Sequence, residues 1–337
     1  MAKAKSENFP PPPDYLPPEE RFNLVGHLES ERRLLKLIEG GDLSNGWIIV
    51  GGEGVGKATL AFRVARALLG APLKHDGRLD SSADDKINRL ISANAHPDVF
   101  VARRAWQEKT QKFATEITVD QIRDLNAFLL RTAAMGDWRV AIIDSADELN
   151  RNAANALLKI LEEPPARTTL LLLSAAPGRL LPTIRSRCRR IVLQPVADQD
   201  VASFLEVECG ADPVEADSLA AAAHGRPGYA LRLAKGGGAT AVALVDAIMR
   251  GADGRTSGDI AQGLQGKAGD IAWPMFRSIL IERLSGRVSE AAKAGDHARV
   301  ESGLRAMDEA SDLLGRSDAL NLDRSQVIHA LLRIVAA

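Results

Sequence analysis

Short, continuous apolar runs alternate with stretches of helical periodicity between residues 24 and 193. Runs this short and this uniformly apolar are typical of strands buried on both faces of a parallel sheet. Five strands are predicted, at Trp47–Val50, Asp98–Val101, Val140–Ile143, Leu170–Leu173 and Ile191–Leu193. Parallel neighbours need crossover connections and covered faces, so the pattern predicts an α/β domain with helices on both sides of its sheet.

Three of the connecting stretches place their apolar residues on one face of a helix. The second stretch follows Thr118, whose spacing to Gln121 fits a capping box, and the third must end before Pro164. The stripes are Leu60, Val64 and Leu68, then Ile122, Leu125 and Leu129, and then Ala154, Leu157, Leu158 and Leu161.

The strand pattern stops after Pro195, and the rest of the chain favours helices. Residues 196–238 predict two or three short helices broken at Gly210–Pro213 and Gly225–Gly228, with Gly236–Gly238 as a linker. Residues 239–337 are expected to be entirely helical, with breaks near Gly251–Gly258, Gly295–Asp296 and Gly315–Asp318.

The amino terminus differs from both regions, because six of the sixteen prolines lie between Pro10 and Pro18. Such a segment has little to bury and is expected to be a flexible, proline-rich tail. The predicted domains are therefore a tail over residues 1–21, an α/β domain over 22–195, a small helical domain over 196–238 and an all-helical domain over 239–337.

Composition excludes several classes of protein. The chain has 43 Lys and Arg against 44 Asp and Glu, so no bulk charge attracts it to nucleic acid or to an anionic membrane. Its two cysteines, Cys188 and Cys209, exclude a disulfide framework and a four-cysteine zinc site within the chain. Neither a long apolar span nor the apolar centre of a signal peptide is present, so we expect a cytoplasmic protein without membrane contact.

The glycine-rich segment Gly51–Ala58 follows a predicted strand and opens a predicted helix, as a phosphate-binding P-loop does. Backbone N–H groups at Gly51, Gly54 and Gly56 can surround phosphate oxygens, and Lys57 supplies a positive charge. The alternative is a glycine-rich turn that binds no ligand, which would leave Lys57 unexplained.

Two positions depart from the P-loop pattern of an ATPase. Ala58 replaces the Ser or Thr that coordinates magnesium, and Thr59 points about 100° away from that position on a helix. Asp144 keeps the acidic position at the end of the third strand, but Ser145 stands where a Glu would orient the attacking water. We therefore expect a nucleotide cradle with poor magnesium binding and no hydrolysis of its own. Asp144 as an ordinary turn-capping carboxylate is the alternative.

Several motifs together resemble bacterial clamp-loader subunits of the AAA+ class. The motifs are His96–Asp98, Trp138–Asp144, Asn155–Pro165 and Leu180–Cys188, and the similarity covers roughly residues 24–235. Within this family, Ala58 and Ser145 are most similar to the non-hydrolysing delta-prime subunits of DNA polymerase III. The resemblance implies a P-loop parallel-sheet domain, a helical lid domain and a helical C-terminal collar domain.

The resemblance also assigns a role to Arg187. In the family, the arginine of the Ser-Arg-Cys motif is an arginine finger that reaches nucleotide held by the adjacent subunit. Guanidinium suits this role because it is planar, always charged and able to stabilise charge spreading over a transferred phosphoryl group. An ordinary surface arginine beside Arg185, Arg189 and Arg190 is the alternative. Gly228 stands where hydrolysing relatives carry a second sensor arginine, with Arg226 two residues earlier as the alternative.

The implied function is that of a component of the polymerase holoenzyme that helps to load the sliding clamp onto primed DNA during replication. Its implied partners are the gamma or tau subunits and the delta subunit, with clamp and DNA reached through the complex. No cofactor is required, ATP or ADP binding without hydrolysis is left open, and no zinc is expected because residues 69–95 lack cysteine.

Two other functions remain open at this level. The chain as an active ATPase of the gamma or tau kind would need Thr59 and Asp147 to replace the missing groups. A small-molecule P-loop kinase would leave the Ser-Arg-Cys motif unexplained. His96, His224 and Cys188 are expected to be structural, and the apolar stripes Phe276–Leu284 and Ile328–Val335 fit either a collar between subunits or an internal helical core.

Overall fold

The computed structural model describes residues 15–74, 77–110, 112–236, 238–251, 266–320 and 322–336. The chain divides into two compact units. One unit reaches to Asp200 and includes Gly225–Gly228, and the other consists of Val201–His224 and the residues from Tyr229 onward. The predicted boundaries at residues 195 and 238 stay predictions.

A five-stranded parallel sheet forms the centre of the first unit. Its strands are β1 (Asn45–Val50), β2 (Val99–Arg103), β5 (Arg139–Asp144), β6 (Thr168–Ser174) and β7 (Cys188–Val192), in the order β2-β5-β6-β1-β7. All five predicted strands are confirmed. A separate antiparallel ribbon of β3 (Trp106–Gln107) and β4 (Lys112–Phe113) was not predicted, because two-residue strands carry no readable period.

Helices cover both faces of this sheet, as the apolar strands require. Ile49 faces a cluster with α1 (Leu28–Glu39), α2 (Lys57–Leu68) and α3 (Lys86–Ser92). The preceding residue, Ile48, lies on the opposite face of the sheet and packs in a cluster with α4 (Val119–Leu129), α5 (Arg151–Glu162) and α6 (Pro182–Arg187). The predicted α/β domain with a P-loop parallel sheet is therefore confirmed.

The predicted helix boundaries in this unit follow from local chemistry. The Thr118 N–H donates to Gln121 Oε1 at 3.0 Å, which confirms the capping box at the start of α4. Helix α5 ends at Glu162, just before Pro164, because proline and its predecessor disfavour further helix.

Seven helices follow in the described part of the chain. They are α7 (Asp198–Cys209), α8 (Pro213–Ala223), α9 (Pro227–Lys235), α10 (Gly238–Met249), α11 (Gly266–Lys293), α12 (His297–Leu320) and α13 (Arg324–Ala336). Breaks at Gly210–Pro213, Gly225–Gly228 and Gly295–Asp296 are confirmed. None of the described helices is both long and apolar enough to cross a bilayer.

One predicted break in the helical region needs correction. Helix α12 continues through Gly315–Asp318, since one glycine costs a helix only about 1 kcal/mol and Ala310 and Leu314 are buried beside it. The predicted connection at Gly236–Gly238 does separate two helices, because α9 ends at Lys235 and α10 begins at Gly238, and Gly236 packs closely against Met275. Gly237 and residues 252–265 lie outside the described residues.

Most side chains of the two C-terminal apolar stripes are buried within the second unit. Phe276, Leu280 and Leu284 on α11 are buried, as are Ile328 and Leu331 on α13. An internal helical core therefore accounts for these five side chains, whereas Leu332 and Val335 remain partly exposed.

The end of the segment that was expected to be flexible is instead packed against the domain. Glu19 is 4% exposed and Arg21 is 8% exposed, and the Glu19 backbone carbonyl accepts hydrogen bonds from Arg66 and Ser92. The prediction of a tail reaching residue 21 is thus wrong for Glu19–Arg21, because buried arginines of α2 need acceptors that this segment supplies. Residues 1–14 lie outside the described part of the chain.

A buried ion-pair network joins the same segment to α1 and α2. Arg63, 1% exposed, donates from Nε and Nη2 to Glu31 Oε1 at 2.8 and 2.6 Å, and also bonds to Asp80 and the Phe22 carbonyl. Arg78 Nε donates to the other oxygen of Glu31 at 2.9 Å. Burial lowers the pKa of neighbouring Arg66 to about 10, so Arg66 stays charged at neutral pH.

Replacing the shared acceptor tests the importance of this network. We expect Glu31→Gln to lower the free energy of unfolding by about 3–5 kcal/mol, because the buried guanidinium of Arg63 and the partly buried guanidinium of Arg78 lose the carboxylate that they share. Glu29→Gln on the exposed side of the same helix is the matched control and should change stability by less than about 0.5 kcal/mol. Urea unfolding measures both, and equal effects would contradict the role given to Glu31.

Candidate functional site

The glycine-rich loop lies between β1 and α2, at the edge where the parallel strands end. Gly54 and Gly56 have φ angles of 81° and 116°, which favour glycine. A Cβ at Gly51 would lie 2.8 Å from the Leu193 carbonyl oxygen. Lys57 Nζ donates to the Gly51 and Gly52 carbonyl oxygens at 2.8 and 2.9 Å. Close backbone packing therefore requires these glycines, and the loop has the form of a phosphate cradle.

Two segments distant in sequence hold this loop. His27 Nε2 lies 2.9 Å from the Val55 carbonyl oxygen. Burial lowers the pKa of His27, so the ring is neutral and carries its proton on Nε2, which donates to Val55. The Gly228 N–H donates to the Gly54 carbonyl oxygen at 2.7 Å. Gly228 therefore meets the loop with its backbone, while the Arg226 side chain lies close to the loop as well, since a Cβ at Gly52 would be 3.3 Å from Arg226 Cδ.

The groups on the magnesium side of the cradle do not fit a P-loop metal site. The methyl group of Ala58 packs against the apolar cluster of α2 and offers no ligand. Thr59 is 7% exposed within α2, so its hydroxyl is buried in the helix layer. Neither residue presents a hydroxyl for the cation that nucleotide phosphates carry.

Asp144 lies at the carboxyl end of β5, paired in register with Arg103 of β2. Protein atoms surround its carboxyl group on most sides. This burial raises the pKa of Asp144, and the positive charges of Arg103 and Lys57 oppose the rise only in part. Arg103 is in turn paired with buried Glu19 at 3.0 Å. The acidic position of the motif is therefore retained and faces two cations.

The neighbouring Asp147 is already engaged by the protein. Its carboxylate accepts hydrogen bonds from Ser174 Oγ at 2.6 Å, Ala175 N at 2.6 Å, Ala176 N at 3.2 Å and Ser145 Oγ at 3.2 Å. Ser145 also contacts the Leu173 carbonyl oxygen at 3.3 Å. These bonds join the ends of β5 and β6, and they leave Asp147 poorly placed to bind metal or activate water.

Arg187 is the last residue of α6 and directly precedes Cys188, where β7 begins. Its guanidinium pairs with Glu162 Oε1 at 2.7 Å and donates to the Thr183 carbonyl oxygen at 3.1 Å. Both charged side chains are substantially exposed, at 34% and 50%. The arginine is therefore accessible, and it is separate from the cradle formed by Gly51, Gly54, Gly56 and Lys57.

The remaining candidate residues have structural surroundings. His96 is buried, and its Nδ1 accepts the Asp98 N–H at 3.1 Å. Asp98 accepts the N–H groups of Ala134 and Met135 at 2.7 and 2.8 Å, so the His-Pro-Asp segment orders a loop. His224 ends α8 with a φ of 48°. Burial raises the pKa of the Cys188 thiol to about 12, which excludes an activated nucleophile at neutral pH.

Sequence reasoning missed four residues of this region: His27, Glu19, Arg103 and Glu162. Each contacts a partner at least 25 residues away, so no local pattern predicts its position. The sole local signal was the position of Arg103 at the end of a predicted strand, the same edge as Asp144. Burial of a carboxylate in a proline-rich segment has no comparable signal.

The sheet order and the loop geometry define a P-loop protein of the AAA+ class. Residues 26–197, just over half of the chain, match the family described as DNA polymerase III, delta subunit. The chain belongs to this family.

Several known proteins are similar to this chain. DNA polymerase III subunit delta' of Pseudomonas aeruginosa is 39% identical over 194 residues, which are 56% of each chain. Subunit tau of Salmonella typhimurium is 26% identical over 287 residues, which are 82% of this chain and 41% of the relative. A gamma subunit-related protein of Thermotoga maritima is 18% identical and covers 90% of this chain and 98% of its own, with a TM-score of 0.48. The chain spans about half the length of the curated relatives it matches.

The opposite environments of the two acidic residues predict opposite effects of amide substitution. A folded-state pKa above the unfolded value means that ionising Asp144 costs stability as pH rises past about 4. We expect Asp144→Asn to be more stable than the wild type at pH 7, with the difference vanishing below about pH 4.

Asp147→Asn is the matched comparison. It places an amide group against the N–H donors of Ala175 and Ala176 and should lower stability at pH 7 by about 1–3 kcal/mol. Urea unfolding across a pH series measures both variants. A destabilised Asp144→Asn at pH 7 would contradict the described burial.

Proposed function

We propose that this protein is a clamp-loader subunit of DNA polymerase III, of the delta-prime kind, which supports replication without hydrolysing ATP itself. Membership of the family and the relatives named delta' support this proposal. Its partners in the proposal are gamma or tau subunits and a delta subunit, with the sliding clamp and primed DNA reached through their complex. Relatives named gamma and tau agree with a common class of subunit but favour neither role.

The observation that carries the proposal is the engaged carboxylate of Asp147. An ATPase of the gamma or tau kind would need this group, or another, in place of the glutamate that Ser145 replaces. Asp147 accepts four hydrogen bonds from the ends of β5 and β6, and freeing it would leave the Ala175 and Ala176 N–H groups without their acceptor. Thr59, the other substitute, is buried. Autonomous hydrolysis therefore has neither its metal hydroxyl nor its base.

Nucleotide binding remains compatible with this deficiency. The cradle glycines and Lys57 can hold phosphate oxygens, so we propose that ATP or ADP binds weakly and independently of magnesium. Binding would require Lys57 to exchange its bonds to the Gly51 and Gly52 carbonyl oxygens for bonds to phosphate. No step of catalysis is assigned to this cradle.

The catalytic contribution in this proposal comes from Arg187, acting on nucleotide held by a neighbouring subunit. A guanidinium placed at the transferred phosphoryl group stabilises the charge that spreads over its oxygens. Arg187 suits this role because it ends a short helix and is accessible, and its guanidinium is held by the exposed Glu162 pair and the Thr183 carbonyl. Such exposed pairs contribute about 0–1 kcal/mol, so a stronger anion can displace Glu162.

Substitution of Arg187 tests the finger. The isolated chain should show no ATP turnover, and Arg187→Ala should change its free energy of unfolding by less than about 1 kcal/mol. In a complex reconstituted with gamma or tau and delta, the variant should reduce hydrolysis at the neighbouring site by about 10³-fold or more. Lysine at this position should not restore the rate, because it lacks the planar fork.

Arg190→Ala, which removes an exposed arginine three residues away, is the control and should leave the complex active. ATPase rates of the reconstituted complexes decide the matter. Turnover by the isolated chain, or normal hydrolysis at the neighbouring site in Arg187→Ala, would refute the proposal.

The Glu162 pair makes a second prediction. If it holds Arg187 away from the neighbouring nucleotide, Glu162→Gln should raise the ATPase rate of the complex, by up to roughly fivefold, since the pair contributes at most about 1 kcal/mol. The adjacent Glu163→Gln also removes an exposed charge and should leave the rate unchanged. Equal rates in the two variants would show that Glu162 does not restrain the arginine.

A further inference from the structure

The antiparallel ribbon of β3 and β4 presents an aromatic pair outside the cores of the sheet. Trp106 lies opposite Phe113 in register, with ring centroids 5.1 Å apart and planes at 73°. Neither ring belongs to the apolar clusters on the two faces of the sheet, and Phe113 is 42% exposed. A cross-strand pair explains the stability of the ribbon, but it does not explain why the Phe113 side chain is left 42% exposed.

The ribbon is also positively charged. Between residues 103 and 113 the chain carries four cations and one acid, whereas its net charge as a whole is -1. Arg103 and Arg104 at the base are paired with Glu19 and Glu148. Lys109 and Lys112 toward the tip are exposed. Exposed lysines therefore flank an exposed aromatic ring.

Contacts at its base attach this ribbon to the functional edge of the sheet. It continues directly from β2, whose last residue, Arg103, is paired in register with Asp144. The Arg104 guanidinium lies 2.8 Å from the Glu148 carboxylate and 5.7 Å from the centroid of the Phe113 ring. The Ala114 N–H donates to the Ala105 carbonyl oxygen at 2.7 Å and closes the base. The aromatic surface is therefore held in place at the edge where the strands end.

We propose that this ribbon binds single-stranded nucleic acid. An unpaired base stacks on the exposed part of the Phe113 ring, which the edge contact with Trp106 holds in place, and Lys109 and Lys112 contact the flanking phosphates. Such combinations of aromatic faces and cations are the usual means of binding single strands without reading their sequence. A duplex does not fit, because its bases are already stacked on one another. The proposal does not depend on the role of Arg187.

Fluorescence anisotropy of a fluorescein-labelled oligothymidylate, titrated with the full chain at low salt, tests this binding. We expect Phe113→Ala to weaken binding about tenfold, because base–aromatic stacking contributes about 1–3 kcal/mol. Phe113→Leu, which keeps an apolar side chain but no aromatic face, should weaken it similarly, while Phe113→Trp should retain it. Leu130→Ala truncates another exposed apolar side chain, 71% exposed, and is the matched control.

Two further measurements separate stacking from general charge attraction. Lys112→Gln should lower the slope of log affinity against log salt by about 0.7, the value of one phosphate contact to a single strand. Oligothymidylate should quench tryptophan emission in the wild type and not in Trp106→Phe. Urea unfolding of each variant verifies that the fold is intact.

Failure of the wild-type chain to bind the oligonucleotide at low salt would overturn the proposal. So would unchanged affinity in Phe113→Ala or Phe113→Leu, or equal affinity for a duplex of the same length. ATPase measurements on the complex do not enter this test, so its outcome is independent of the outcome for Arg187.

Discussion

The carboxylate of Asp147 is the contact on which the functional edge of this protein depends. Its four hydrogen bonds join the end of β5 to the end of β6 and to the segment that leads to α6. Because Arg187 ends α6, the same carboxylate helps to order the segment that supports the proposed finger. An engaged carboxylate at this place connects the ends of two neighbouring strands.

A second constraint acts on the opposite side of the P-loop helix. Arg63 and Arg66 point from α2 into protein, and each must find oxygen acceptors because an unpaired buried cation is very unfavourable. Glu31, Asp80 and several carbonyls of residues 19–22 supply them. The proline-rich segment is thereby joined to the helix that begins at Lys57, and Glu19 of this segment also pairs with Arg103 beside Asp144. Hydrogen bonds and ion pairs thus connect the amino-terminal segment to α2 and to the end of β2.

The two acidic residues of the motif show how position alone separates their roles. Asp144 is surrounded by protein and faces two cations, and its raised pKa reflects incomplete compensation of burial. Asp147, three residues away, is satisfied by N–H and O–H donors. In the sequence Asp144-Ser-Ala-Asp147, nothing distinguishes the two acidic residues. Asp147 is therefore engaged by hydrogen bonds within the protein, whereas Asp144 lies near the positive charges of Arg103 and Lys57.

The five strands and the helices between them could be predicted from the chain, because apolar runs buried on both faces and capped amphipathic stripes depend on local order. The glycine-rich loop, and the Ala58 that replaces its hydroxyl-bearing residue, could be predicted for the same reason. Contacts between residues remote in sequence could not be predicted. His27 with Val55, Glu162 with Arg187, and the buried position of Glu19 all arise where the fold brings distant segments together. The ribbon at Trp106 and Phe113 was equally unreadable, since two-residue strands have no period. Local periodicity encodes elements, whereas the pairing of buried charges and the exposure of a ring are set by which elements become neighbours.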